Sequence, residues 1–254
     1  MTQIVQDNDN GFLVEGTVYA RNRRIAGSPR LEMGNTTSLK LKAKSETKKR
    51  ISRKKGSAGK ALDSVTIADA TEIAMTLDTF NKTTLAMILM GETVMLDTAA
   101  NKVTDEIVRV TEKGIMLDLA NKNIDPATVK VKNTGNHAVA ATDIEVNANM
   151  GWITVKADCA NVNKGEDIKV TYSTRAGGGI RIAAETLADF DLELWVDGFN
   201  HASQKQFSLH IPSAVLKSGS ELDWLADDFN KADFDGTVVL ADGNNAPYFY
   251  EEFN

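Results

Sequence analysis

Short runs in which apolar and polar residues alternate recur along this chain, and that two-residue period is its strongest constraint on the fold. In one run Ile73, Met75 and Leu77 share a face, and residues 152–157 repeat the pattern. Turn residues such as Gly, Asn and Asp separate the runs. About a dozen short strands at turn-marked intervals predict an all-β fold, a β-sandwich or barrel, with one or two short helices.

The chain shows no internal repeat and no low-complexity linker, so we predict a single β domain over residues 1–254. Residues 1–15 are expected to form a loose N-terminal arm, and residues 44–62 an extended basic hairpin loop. Cys159 is the only cysteine, which excludes an intrachain disulfide and favours a reducing compartment. The N-terminus lacks the features of a signal peptide, and the longest strictly apolar run, residues 85–90, is too short to cross a bilayer.

The chain is acidic, but its positive charge is concentrated in one place. Residues 40–60 contain ten Lys or Arg and one acid, Glu46, so this segment carries +9 in a chain whose net charge is −6. Alternating strands flank it, and a short helix beginning at Asn81 or Thr83 and closed by Gly91 follows. Charge segregated in this way can attract copies of the same chain head to tail, or a polyanion.

We therefore predict that the basic segment makes contacts between subunits. Repulsion between its cations, and the glycines at 56 and 59, also predict that residues 44–60 are mobile in the free subunit and become ordered at the contact. The residues expected at the contact are Lys44, Lys48, Lys49, Arg50, Ile51, Arg53, Lys54, Lys55, Lys60 and Leu62.

A family resemblance rests on short motifs near the end of the chain. These are WVDGFN at 195–200, a strand ending in a proline within 207–215, LDWL at 222–225, and the strand FDGTVVLAD at 234–242. In the front half, Gly34-Asn35 opens a strand, and a long loop, a returning strand and a helix follow. This order of elements resembles the major tail tube proteins of long-tailed bacteriophages.

The resemblance implies a structural virion protein of the phage tail, assembled in the host cytoplasm and without enzymatic activity, cofactor or membrane anchor. Such subunits form rings, commonly hexameric, which stack into a hollow tube through which DNA passes without specific binding. Long hairpin loops and terminal arms bridge successive rings. The implied partners are further copies of the chain and the tape measure, tail tip and tail terminator proteins. We expect acidic residues to line the bore, with Glu145, Asp191 and Glu193 as candidates.

Residues that could perform chemistry are scattered. His137, His201 and His210 show no metal-ligand spacing, and no nucleophile and base are paired in the sequence, so we predict neither a metal site nor a catalytic residue. The segment GSAGKA at 56–61 lacks the glycine spacing and the final Ser or Thr of a phosphate-binding loop. Cys159 is expected to be a small buried residue.

Two other classes of function remain open. The basic segment could bind nucleic acid, because clustered cations release counterions from phosphates, although it has no aromatic side chain for base stacking. A carbohydrate-binding β-sandwich is the second alternative, with Trp152, Trp195, Trp224 and the aromatic residues at 248–250 as candidate contacts.

Overall fold

The computed structural model describes residues 10–253, which are mostly β-strand with one α-helix and one 3₁₀ turn. The all-β prediction is confirmed. The helix α1 spans Lys82–Ile88 and the 3₁₀ turn Ala141–Asp143. The strands are β1 (Val14–Asn22), β2 (Leu31–Glu32), β3 (Thr36–Ile51), β4 (Ala61–Leu77), β5 (Glu92–Thr98), β6 (Lys102–Arg109), β7 (Met116–Asp118), β8 (Ile124–Lys132), β9 (Ile144–Asn147), β10 (Trp152–Val155), β11 (Asp167–Thr174), β12 (Gly177–Ala183), β13 (Phe190–Asn200), β14 (Lys205–Ser218), β15 (Ala232–Val238) and β16 (Phe249–Phe253).

The described residues divide into two compact units. The first contains the residues up to Val94 and from Ile182 onward, and the second, Met95–Arg181, is inserted between them in sequence. The prediction of one domain over residues 1–254 stays a prediction. The expected N-terminal arm lies mostly outside the described residues, and its last two positions, Val14 and Glu15, are already strand β1.

The first unit is built on an antiparallel sheet with the order β2-β1-β13-β14-β15-β4-β3. β14 pairs with β16 over Gln206–His210 and with β15 over Ala214–Ser218. Between these two stretches Pro212 and Ser213 lie opposite Glu193 alone, which is a β-bulge and a place where a strand tolerates proline. The expected strand end at Pro212 is therefore wrong, because β14 continues through the bulge.

The core of the first unit lies on one face of this sheet, where α1 packs against it. Asn81 caps α1 as predicted, its side-chain oxygen accepting from the backbone N–H of Thr83 and Thr84 at 2.9 Å each. This fixes the start of the helix and places Met87 and Ile88 in the core. The strand residues buried with them include Val18, Ile73, Met75, Leu77, Leu192, Leu194, Ile211, Leu216 and Phe234.

The second unit contains two three-stranded sheets, β7-β10-β9 and β6-β11-β8, and β5 and β12 pair as a separate two-stranded sheet. Both three-stranded sheets contribute to one core, which contains Val108, Leu117, Ile153, Val170 and Tyr172 among others. Cys159 is buried in this core, as predicted, with 1% of its surface exposed.

The alternating runs at residues 103–110 and 115–119 flank Glu112-Lys113-Gly114, a pattern that predicts a hairpin, but the two strands do not pair with each other. The strand before the turn, β6, pairs with β11, whereas the strand after it, β7, pairs with β10. Gly114 has φ +80° and donates its N–H to the carbonyl of Val155 at 2.7 Å, so the turn carries the chain from one sheet to the other. The alternation identified both strands correctly, but partners distant in sequence decided their pairing.

A hydrogen-bond network in the second unit is centred on Tyr172, whose side chain is fully buried. Its hydroxyl donates to Glu106 Oε2 at 2.7 Å and accepts from Asn121 Nδ2 at 3.0 Å. Glu106 Oε1 in turn accepts from the backbone N–H of Ala120 at 2.8 Å. Burial, reinforced by the hydrogen bond to Glu106, raises the pKa of Tyr172 above its ordinary value of 10.0.

We predict that Tyr172→Phe removes a pH dependence of stability. Above pH 10 the unfolded chain loses the tyrosine proton while the folded chain retains it. The stabilisation is thus fully present below pH 10 and lost as the pH rises through the higher folded pKa. In urea unfolding from pH 7 to 11, the free energy of unfolding should fall more steeply above pH 10 in the wild type than in the variant. At pH 7 the free energy of unfolding of the variant should be lower than that of the wild type by about 1 kcal/mol. Parallel curves would contradict this, and Tyr248→Phe is the control for removing a hydroxyl elsewhere.

Candidate functional site

The basic segment and its surroundings form a long antiparallel hairpin that extends away from the core. We call residues 42–70 the hairpin arm; every residue in it is exposed except Ser52, which is buried, and Ser57, which is intermediate. β3 and β4 pair along it from Lys44 opposite Asp69 to Ile51 opposite Ala61. A β-bulge lies at its base, between Lys42 and Lys44, where the chain leaves the core. The inner half of β4 is buried and the outer half is exposed.

The expected loop over residues 44–62 is therefore wrong at both ends, because strand pairing continues to Ile51 and resumes at Ala61. The connection between the strands is closed by its own hydrogen bonds. Ser52 Oγ lies 2.8 Å from Ser57 Oγ, and the backbone N–H of Ser52 and Gly59 donate to the carbonyls of Lys60 and Ser52 at 2.8 and 3.0 Å. The connection is thus a hydrogen-bonded turn at the end of a strand ladder, and the mobility of residues 44–60 in the free subunit stays a prediction.

The predicted contact cations fall into two groups on the arm. Lys44 pairs with Glu72, Arg50 lies 2.9 Å from Asp63, and Lys48 lies 3.7 Å from Glu46. Among the described residues no ion pair is formed by the other five, which lie at or beside the tip: Lys49, Arg53, Lys54, Lys55 and Lys60. Exposed ion pairs contribute at most about 1 kcal/mol each to stability. The main electrostatic feature of the arm is therefore the excess of positive charge at its tip.

Large apolar side chains are exposed on the arm. Ile51 and Leu62, both predicted contact residues, are 55% and 53% exposed. Sequence reasoning missed Val65 and Ile67, which are also half exposed or more and share one face of β4. Apolar and polar residues already alternate before residue 66, and this alternation was the available signal. The same pattern is expected of a strand that faces the core, so it did not indicate exposure. No core of the described residues covers these four side chains.

The three acidic residues predicted to line a bore lie on different elements. Glu145 is on β9 of the second unit, whereas Asp191 and Glu193 are on β13, on the sheet face opposite the core of the first unit. Asp191 accepts from Arg23 at 2.9 Å and Ser213 at 2.9 Å, and Glu193 pairs with Arg21 and with His210 at 2.8 Å. The two carboxylates on β13 are thus neutralised by cations on β1 and its following turn. A bore position for all three residues stays a prediction.

The same face contains an aromatic cluster that sequence reasoning did not identify. The guanidinium of Arg30 lies 3.7 Å from the centre of the Trp195 ring, and the His210 ring stacks on Trp195 at 5.3 Å with an interplanar angle of 4°. The two rings come together because Trp195 and His210 are opposite each other in the β13–β14 register. Trp195 is therefore engaged within the subunit, whereas Trp224 is 70% exposed.

The described residues contain no group of three or more His, Cys, Asp or Glu side chains that could hold a metal ion. None of the helices in the described part is long and apolar enough to cross a membrane. The second unit has an open cavity of about 520 Å³, lined by polar side chains such as Asn101, Asn121 and Arg175 and by the glycines at 177–179. Among the described residues of this lining, no nucleophile is paired with a base.

We predict that the hairpin arm can be removed without unfolding the first unit. Lys44 and Asp69 face each other, so joining them through Asn-Gly should close a two-residue hairpin. Because the core contains no residue of the arm, the melting temperature should change by no more than a few degrees. Met75→Ala, on the buried half of the same strand, is the contrasting variant and should cost about 2–5 kcal/mol. Loss of the folding transition on deleting the arm would show that it supports the core.

Comparison with known proteins adds a family assignment. No curated protein matches the chain significantly. A family model described as "Protein of unknown function UCP028589" matches residues 11–248, which cover both compact units and the hairpin arm. Since the match extends over most of the sequence, the chain belongs to this family, Protein of unknown function UCP028589.

Proposed function

We propose that the protein is a structural subunit of a phage tail tube. Copies assemble into rings, most simply hexamers, which stack into a tube in the virion through which DNA passes. The observation that supports this most is the hairpin arm, an extended ladder that none of the described residues covers and that ends in exposed apolar and basic side chains. Assembly would take place in the host cytoplasm, with tape measure, tail tip and tail terminator proteins as the other partners.

The apolar content of the arm favours a protein partner. Ile51, Leu62, Val65 and Ile67 are each exposed by half or more, and burying such a side chain is worth about 1.5–3 kcal/mol. A solvated loop gains nothing from this exposure. A contact with another chain would bury these residues and satisfy the free edge of the β3–β4 ladder.

The ladder also lowers the entropic cost of such a contact. Fixing a flexible residue costs roughly 1–2 kcal/mol of backbone entropy, which exposed ion pairs alone cannot offset. In the hairpin arm the backbone is already paired from Lys44 to Ile51, and the tip is closed by its own hydrogen bonds. A preformed arm therefore binds with less loss of freedom than the loop expected from the sequence.

The distribution of charge suggests how copies would associate. The arm presents five cations without an ion pair in the described residues, while the chain as a whole carries −6. A cationic projection and an acidic body are different surfaces, so each copy would contact the next through unlike faces. Such heterologous contacts build rings and stacks, whereas identical faces would stop at a dimer.

Nucleic-acid binding by the arm is the second candidate. The five tip cations favour it, since clustered Lys and Arg bind phosphates by releasing counterions. No Phe, Tyr or Trp lies between residues 42 and 70, so base stacking cannot contribute. The exposed apolar residues on the arm would have no role in such a complex, which is why we favour assembly.

We predict that the purified protein forms rings or tubes visible by negative-stain microscopy, and that reversing Lys48, Lys49, Arg50 and Arg53 to Glu blocks their growth. The variant should stay folded because all four side chains are exposed. Raising the salt concentration should slow wild-type assembly without abolishing it, since salt screens charge but does not weaken apolar contacts.

The matched control reverses Lys102, Lys122, Lys130 and Lys164, four exposed lysines of the second unit, and changes the net charge by the same amount. This control should assemble like the wild type. If the arm variant assembled normally and lost only DNA binding, the nucleic-acid function would replace the structural one. A wild type that remained monomeric at every concentration, also with tail tip components, would contradict the tube.

A further inference from the structure

A second surface of the first unit exposes large apolar side chains, and it carries the opposite charge to the hairpin arm. Between β14 and β15 the chain forms the acidic loop, which we define as residues 219–231. Trp224, Leu225 and Phe229 are exposed by 70%, 92% and 90%. Four carboxylates lie among them, and none forms an ion pair within the described residues: Glu221, Asp223, Asp227 and Asp228.

The loop holds these side chains outward through its own hydrogen bonds. Asn230 braces it, since its side-chain oxygen accepts from the N–H of Asp223 at 3.2 Å and its Nδ2 donates to the carbonyl of Asp223 at 2.9 Å. At the base, Gly219 donates its N–H to the carbonyl of Asp233 at 2.8 Å, and Leu222 packs against the core. The exposed apolar residues are thus presented on a formed loop.

The strand register places the acidic loop and the hairpin arm at opposite ends of one strand. Ala232, which follows the loop, is paired with Leu77 at the inner end of β4. The arm leaves the sheet at the other end of β4, beyond Thr71. Leu77 and Ala70 are seven residue positions apart along the extended strand, which corresponds to about 23 Å. The first unit therefore presents a basic apolar surface beyond one end of β4 and an acidic apolar surface beyond its other end.

We propose that the acidic loop is the docking surface for the hairpin arm of a second copy of this chain. Its four carboxylates match the five unpaired cations of the arm tip, and Trp224, Leu225 and Phe229 pack against Ile51 and Leu62. Because the two surfaces lie at opposite ends of a strand, the contact joins copies head to tail, and each added copy brings one further surface of each kind. This inference rests on the proposed function and names the surface that receives the arm.

A reciprocal charge exchange tests the pairing. Glu221→Lys with Asp227→Lys, or Lys54→Glu with Lys55→Glu, should each raise the protein concentration needed for assembly by at least about tenfold in sedimentation velocity. The four substitutions in one chain should restore assembly, because attraction returns with its signs exchanged. These positions avoid Asp223 and Asn230, which hold the loop. Failure of the combined variant to recover would overturn the proposal.

The apolar half of the contact has its own test. Trp224→Ser, Leu225→Ser and Phe229→Ser together should abolish assembly, and the circular dichroism spectrum should not change. The control replaces three similarly exposed apolar residues of the second unit, Met95, Ile107 and Met116, by Ser, and should assemble normally. If the wild type assembles and the loop variant does so equally well, the proposed docking surface is contradicted and the proposed tube function is not. If the wild type never assembles, both proposals are contradicted.

An introduced disulfide identifies the contact directly. The only native cysteine, Cys159, is buried, so it does not compete. A mixture of Leu225→Cys and Lys54→Cys proteins should form mixed disulfides under mild oxidation in the assembling range of concentration. Cross-linking confined to identical variants would overturn the head-to-tail arrangement.

Discussion

The β3–β4 ladder is the interaction on which the rest of the first unit depends. Its inner half places Ile73, Met75 and Leu77 in the core, where they are at most 2% exposed. Strand β4 also pairs with β15 and so fixes the position of the acidic loop. Its outer half continues into solvent as the hairpin arm. One pair of strands thus sets both the core and the two projecting surfaces, because backbone pairing propagates along a strand whether or not its side chains are buried.

A long exposed hairpin is unfavourable unless a contact with another chain stabilises it. Isolated two-stranded ribbons are marginally stable in water, and their unpaired edges invite association. Charge along the arm limits uncontrolled pairing, while the apolar residues among those charges leave something to bury. The acidic loop shows the same combination with the opposite sign. Both surfaces are held in shape by local hydrogen bonds, so the contact that we propose would need little further ordering of either one.

The second unit buries its strands in a different way from the first. Its two small sheets share one core, and the polar group buried there, the Tyr172 hydroxyl, has both an acceptor and a donor nearby. A buried hydroxyl without such partners would cost more than its burial provides. The network links β11 to β6 and to the segment after β7, both of which are distant from Tyr172 in sequence.

The sequence by itself determined the all-β class, most strand positions, the Asn81 cap, the burial of Cys159 and the location of the charge, because these follow from local periodicity and composition. It could not determine that residues 44–51 are paired strand, since like charges in sequence resemble a loop until a partner strand is known. It located the turn at residues 112–114 but not the pairing of the strands on either side, which partners distant in the chain decide. The exposure of Val65, Ile67, Trp224, Leu225 and Phe229 was decided only by the tertiary structure, because alternation shows that residues share a face but not whether that face is covered.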